Sequence, residues 1–257
     1  MTEKKLLTMR VESVCCGESG YTQLVLTPEE GRLPELHPGQ FVNILVSNCR
    51  DAFLRRPISV NDVDTVNSRL MLLVKNAGPG TEVLCSSRPG DRYDVLLPLG
   101  KGFTVDTVNA RRYLLIGGGV GTAPLLYLGR KLRDGGVEPC FLLGARTPKE
   151  LMQLDAFRAI GRVEVSTEDG AMGVKGFVTE HPVLDEEFDR YAVCGPLPMM
   201  KAVARIAKEK GVECEVSLEN KMACGLGACL CCVEDTVRGN ECACTHGPVF
   251  NLNDLKW

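Results

Sequence analysis

The sequence predicts a mixed β and α/β protein: an N-terminal β-barrel, an open parallel α/β domain, and a small cysteine-rich C-terminal domain. Three observations carry this. Short apolar or alternating runs, split by Gly, Pro, Asn and Asp, fill the first hundred residues; strands at such close spacing read as a small barrel. From about residue 110, strand-like runs alternate with amphipathic ones, the pattern of a parallel sheet with crossover helices. Finally, "KMACGLGACLCCVEDTVRGNECACTH", residues 221–246, holds six of the 13 cysteines. With 257 residues the chain can bury a core in each larger part, and the expected divisions are residues 1–106, 107–215 and 216–257.

The elements follow in order. "YTQLVLTP", "QFVNILVS", "RLMLLVKN" and "RYDVLLPLG" are expected strands, and "GTEVLCSS" is the best short helix before residue 120. "RRYLLIGGGVGTAPLLYLGRKLRDGG" reads as a buried strand, a glycine turn and an amphipathic helix stopped by Gly135 and Gly136. "VEPCFLLGAR" is a second strand, "PKELMQLDAFRAI" a second helix and "RVEVSTEDG" a third strand. "DRYAVCGPLPMMKAVARIAKEKG" repeats the strand–turn–helix unit, and "VECEVSLEN" leads into the cysteines.

Composition excludes some functions. A hydrophobic content of 44%, a charged content of 25% and a net charge of −3 are those of an ordinary globular protein. No cluster of Lys and Arg suggests nucleic acid as a partner. The opening "MTEKKLLTMRVESV" lacks the apolar core of a signal peptide, and no apolar run is long enough to cross a bilayer. No membrane partner is therefore expected, and the expected location is cytoplasmic. In a reducing compartment the scattered Cys15, Cys16, Cys49, Cys85, Cys140 and Cys214 read as small apolar side chains. Cys194 is held apart because of the turn in which it stands.

Four motifs carry chemistry. In "LLIGGGVGTAP", Gly117, Gly118, Gly119 and Gly121 sit where a strand becomes a helix, a place where backbone amides and the helix dipole favour a diphosphate. "YAVCGPLPMM" puts Cys194, Gly195 and Pro196 at the carboxyl end of a later strand, the edge at which open α/β sheets collect ligands. "FLRRPISVND" fixes Arg55 and Arg56 before Pro57, and a planar guanidinium fork suits phosphate oxygens. "VKNAGPGTEVL" adds a second glycine-rich turn before the short helix. Two phosphate cradles in two differently built domains suggest two nucleotide ligands.

The cysteine stretch admits a disulfide framework, a zinc site or an iron–sulfur cluster. Cys224, Cys229 and Cys232 follow C-x4-C-x2-C, the spacing of plant-type [2Fe-2S] centres. The pairs Cys229/Cys232 and Cys242/Cys244 would serve zinc. Cys242 and Cys244 both remain as candidates for a fourth ligand.

Taken in order, RRPIS, K-x-x-G-x-G-T, PLG, GGGVGTAPL, CGP and the terminal cysteines resemble the ferredoxin-reductase-type flavoprotein superfamily over nearly the whole chain. More narrowly, they resemble the electron-transfer subunits of heteromeric, NAD-linked dihydroorotate dehydrogenases. The resemblance implies a barrel of the six-stranded type with FAD on it, held by Arg56, Pro57, Ile58 and Ser59, by Leu73, Val74 and Lys75, and by Gly80 and Thr81 at the short helix. It implies NAD on the second domain, at Gly117, Gly118, Gly119, Gly121 and Thr122 and at Gly195 and Pro196. Ser59 and Cys194 are the expected catalytic residues. "CTHGPVF" aligns Cys244 with the family's fourth ligand, so the implied [2Fe-2S] set is Cys224, Cys229, Cys232 and Cys244. Cys231 and Cys242 are then extra thiols. Related transhydrogenase subunits usually carry Asp where Cys224 stands.

The implied partner is an FMN-containing catalytic subunit that oxidises dihydroorotate, in a heterotetramer of two such pairs, with electrons reaching NAD through cluster and FAD in pyrimidine synthesis. Two alternatives stand beside this: a transhydrogenase, sulfide dehydrogenase or hydrogenase subunit built from the same modules, and a zinc-stabilised nucleotide-binding regulator. Arg146 after "LLGA" leaves NADP open against NAD.

Overall fold

The computed structural model describes residues 3–47, 49 and 51–257. Its first part is a closed antiparallel barrel. The strands are β1 (Lys5–Cys16), β2 (Tyr21–Pro28), β3 (Phe41–Leu45), β4 (Arg56–Asp64), β5 (Arg69–Lys75) and β6 (Arg92–Leu99), in the order β1-β2-β5-β4-β3-β6. Pairing of β1 with β6 closes the ring. Side-chain alternation sends Met9, Leu24, Val42, Ile44, Leu72 and Val95 into one buried cluster. Helix α1 (Pro79–Cys85) follows β5, where the short helix was expected.

The second part is a seven-stranded sheet. Six of its strands are mutually parallel, β7 (Tyr113–Gly118), β8 (Cys140–Ala145), β9 (Arg162–Thr167), β10 (Val174–Lys175), β11 (Arg190–Cys194) and β12 (Glu213–Ser217), and the seventh joins antiparallel at the edge from the C-terminal segment. Successive residues of β7 face opposite ways. Leu115 packs with Leu125, Leu128 and Leu132 of helix α2 (Ala123–Asp134), whereas Leu114 and Ile116 share a cluster with Met200, Val203 and Ala207 of helix α4 (Leu197–Lys210). Both faces are covered, so the central strands read as unbroken apolar runs.

One expected element is shorter than its sequence suggests. "PKELMQLDAFRAI" forms a 3-10 turn at Pro148–Glu150 and only a five-residue helix, α3 (Leu154–Arg158). Between them Gln153 takes φ +59°, and its amide exchanges two 3.0 Å hydrogen bonds with that of Asn61 on β4. A tertiary contact has outweighed helical propensity.

After the hairpin of β13 (Val233–Thr236) and β14 (Gly239–Cys242), the last strand, β15 (Val249–Asn251), pairs antiparallel with β12. The cysteine segment is thereby stitched to the sheet edge. Barrel and sheet are held together mainly through α2. Arg130 forms an ion pair with buried Asp62, Tyr127 Oη donates to the Leu36 carbonyl at 2.9 Å, and Asn61 Nδ2 donates to the Ala123 carbonyl at 2.9 Å. These contacts fix the cleft described next. Among the described residues, no helix is long and apolar enough to cross a membrane.

Candidate cofactor cleft and cysteine loop

A cavity of about 590 Å³ opens between barrel and sheet. Its barrel wall is Pro57, Ile58 and Ser59 of β4 with Leu73 and Lys75 of β5; its sheet wall is Gly118, Gly119 and Gly121 with Cys194, Gly195 and Pro196. Three motifs spread over more than a hundred residues of sequence thus share one surface. The remaining candidates stand around it. Val74 turns into the barrel core. Thr122 donates its hydroxyl to the Gly119 carbonyl at 3.0 Å and pins the glycine turn. Gly117 packs on the Thr122 methyl group, where a Cβ would stand at 2.8 Å.

The two turns of the sheet wall touch. A Cβ on Gly121 would lie 2.5 Å from the Cys194 carbonyl oxygen and from Gly195 Cα. Only a residue without a side chain lets the βα turn close on the CGP turn. The Cys194 thiol is buried behind them, and burial raises its pKa despite a hydrogen bond with Ser217. It is a neutral thiol at physiological pH.

The arginines part company. Arg55 pairs with Asp94 at 2.6 Å and donates to the Asp94 and Asn43 carbonyls, so it ties strands together. Arg56 instead lies over Gly80 at the start of α1, where a Cβ would clash with its guanidinium. The Thr81 hydroxyl is used within the turn, donating to the Gly78 carbonyl at 3.0 Å and accepting from the Ala77 amide at 2.9 Å. A guanidinium beside the unpaired first amides of a helix is a fit for a diphosphate.

Sequence reading missed several cleft residues, among them Phe41, Glu219, Asn220, Met222 and Pro248. Desolvation raises the Glu219 carboxyl pKa, opposed by Lys75 across the cleft. Phe41 had a signal, since it opens an alternating strand two residues after a glycine. Glu219 had none beyond its place at a strand end.

In the cysteine segment, Cys232, Cys242 and Cys244 are buried, Cys224 is half-buried, and Cys229 and Cys231 are exposed. Backbone amides converge on the sulfurs. Leu226 N donates to Cys224 Sγ at 3.3 Å, Gly227 N to Cys244 Sγ at 3.2 Å and Cys244 N to Cys232 Sγ at 3.4 Å. Desolvation raises the Cys224 pKa, but the amides of Leu226, Cys229 and Ala228 and the Cys229 thiol bring it down to about 6. Among the described residues, no three His, Cys, Asp or Glu side chains are disposed to hold a single metal ion. The fit to a two-iron group, whose ligands divide between two irons, rests on this all-sulfur donor set and on amides that stabilise thiolate and sulfide charge. Cys244, not Cys242, receives a loop amide.

Known proteins resemble the chain over most of its length. Residues 219–256 match the family described as the iron-sulfur cluster binding domain of dihydroorotate dehydrogenase B. The electron transfer subunit of dihydroorotate dehydrogenase B (NAD(+)) from Fusobacterium nucleatum is 37% identical over 227 residues, spanning 85% of this chain and 86% of that protein. The subunit of the same description from Lysinibacillus sphaericus is 40% identical over 224 residues, spanning 84% and 86%. A solved NADH-dependent reduced ferredoxin-NADP oxidoreductase superposes with a TM-score of 0.84 at 29% identity, over 97% of this chain and 90% of that one. An Amycolatopsis cytochrome P450 reductase shares the fold, with a TM-score of 0.71 at 24% identity, over 82% and 67%. At 37–40% identity over 84–85% of its length, the chain belongs to the family of dihydroorotate dehydrogenase B (NAD(+)) electron transfer subunits.

Proposed function

We propose that this chain carries electrons between an FMN-bearing dihydroorotate-oxidising subunit and NAD, in pyrimidine synthesis, as one of two such chains in a heterotetramer. The observation that carries the reading is the single cleft shared by the RPIS strand, the GGGVG turn and the CGP turn, with an amide-lined cysteine loop beside it. When bound, FAD supplies the link between two-electron hydride chemistry and the one-electron chemistry of a [2Fe-2S] group.

The chain's own residues bind and orient. Arg56 offsets diphosphate charge next to Gly80 and Thr81, and Leu73, Val74 and Lys75 form the strand along which the flavin is held. Pro57, Ile58 and Ser59 form the opposite edge of that wall, and the Ser59 hydroxyl is the hydrogen-bonding group it offers to the reacting ring. Gly117, Gly118, Gly119, Gly121 and Thr122 bring backbone amides to the nicotinamide dinucleotide. Gly195 and Pro196 leave room for its ring beside Cys194. The Cys194 thiol, kept neutral by burial, is a soft wall and not a nucleophile. Cys224, Cys229, Cys232 and Cys244 hold the irons.

The test is anaerobic purification followed by metal, acid-labile sulfide and flavin analysis. The expected result is iron with sulfide and FAD, and dihydroorotate-dependent reduction of NAD once the FMN protein is present. Iron-free protein carrying zinc would overturn the reading.

A further inference from the structure

Strand β3 carries one polar side chain where its fold context calls for an apolar one. Val42 and Ile44 point into the barrel core, so Phe41 and Asn43 point outward. On that outer side Phe41 joins an apolar cluster with Leu99, Cys232 and Cys244. Asn43 is completely buried, and neither its Nδ2 nor its Oδ1 has a hydrogen-bond partner. Native proteins rarely leave a buried carboxamide with both ends unpaired. The Asn43 carbonyl does receive a bond, from Arg55 Nη1 at 3.3 Å, so the deficit lies in the side chain alone.

What the side chain faces is specific. Asn43 Nδ2 stands 3.0 Å from the point a Cβ on Gly225 would occupy. Gly225 follows Cys224, has φ +71° and is buried. Along the sheet, β3 pairs Asn43 with Pro57 of the cleft wall. Asn43 itself does not line the cleft. The unused donor is therefore aimed at the peptide that carries the first cysteine of the loop.

We propose that Asn43 is a positioning residue for the iron–sulfur group, donating from its free Nδ2 to sulfur of that group beside Gly225. The Leu226 amide separately meets Cys224 Sγ at 3.3 Å. This rests on the reading of the cysteine loop given under Proposed function. A hydrogen bond to thiolate or sulfide stabilises the reduced, more negative form and raises the midpoint potential. The barrel strand next to the flavin wall thus also sets how readily the cysteine-bound centre accepts an electron.

The test uses the full chain, purified anaerobically, as Asn43→Leu and Asn43→Asp. Iron and sulfide content establish loading, and the midpoint is read by redox titration of the paramagnetic signal of the reduced centre. Asn43→Leu removes the donor and is expected to shift the one-electron equilibrium about tenfold toward the oxidised form, which is about 59 mV downward. Asn43→Asp keeps the shape, adds charge and is expected to shift it further the same way; it also serves if the leucine variant fails to fold. The flavin midpoint, read from the visible spectrum, is expected to stay in place. Loaded variants with an unmoved cluster midpoint, or a shift confined to the flavin, overturn the proposal while leaving the cluster assignment intact. Wild-type protein without iron overturns both.

Discussion

Gly80 lies directly beneath the Arg56 guanidinium: a Cβ there would stand 3.0 Å from Arg56 Cζ and closer still to Nε. The φ of Gly80 is not in the left-handed region, so glycine serves space and not backbone freedom. Gly80→Ala is expected to push Arg56 off the start of α1 and weaken FAD binding about tenfold, or about 1.4 kcal/mol. Arg56→Ala should cost at least as much. The double variant should cost little more than Arg56→Ala alone, because both changes remove one arrangement. Flavin dissociation measured by fluorescence checks all three, and fully additive losses would refute the coupling.

Gly121 makes the corresponding prediction for the sheet domain. Its would-be Cβ meets backbone atoms of Cys194 and Gly195, which cannot rotate away as a side chain can. Gly121→Ala is expected to lower stability by about 1–3 kcal/mol, the usual range for overpacking. It should also raise the KM for NADH several-fold in a diaphorase assay while leaving bound FAD at wild-type stoichiometry. Loss of FAD together with unchanged KM would contradict the assignment of the Gly121 turn to the nicotinamide dinucleotide and of the α1 turn to FAD.

Local patterns made much of this legible. Alternating runs marked β2, β3, β5 and β6, and glycine turns marked the start of α2 and the approach to α1. What escaped depended on contacts between distant segments. The Gln153 amide finds Asn61, 92 residues away in sequence, and no periodicity in "PKELMQLDAFRAI" reveals that the helix is interrupted there. Arg55 and Arg56 look equivalent in "RRP", yet only the fold puts Asp94 beside one and Gly80 beside the other. Glu219 becomes a cleft residue only because β12 ends facing β5. Asn43 did leave a signal, a carboxamide between the apolar pair Phe41-Val42 and the apolar run Ile44-Leu45-Val46.

Cys244 and Cys231 are both C-terminal thiols, but they differ in what surrounds them. Cys244 is buried and its sulfur accepts the Gly227 amide at 3.2 Å, whereas Cys231 is exposed. Cys244→Ser is expected to lose most of the iron or to change the reduced centre's paramagnetic spectrum, because oxygen is a harder and poorer ligand for this group. Cys231→Ser should retain about two irons per chain and an unaltered spectrum. Iron analysis with low-temperature spectroscopy distinguishes them, and an undisturbed centre in Cys244→Ser would remove it from the ligand set.

His181, which does not line the cleft, supplies a pH dependence. It is buried between β9 and the turn before β11, and its Nδ1 accepts from the Val183 amide at 3.1 Å, which requires the unprotonated atom. Burial lowers its pKa; Glu164 at 3.6 Å and Glu186 act to raise it, and Arg162 acts with burial. With a folded pKa below the ordinary value of about 6.5, the stability it contributes is full above that value. That stability is lost as pH falls toward the folded pKa, because the unfolded chain takes up the proton first. His181→Asn can still accept from Val183 but cannot titrate. Between pH 7.5 and 5.5 the wild type should therefore lose more unfolding free energy than the variant, by at most about 1.4 kcal/mol per pH unit below the ordinary value. Urea unfolding followed by circular dichroism at both pH values measures the difference, and equal losses in the two proteins would show that His181 titrates as freely in the fold as out of it.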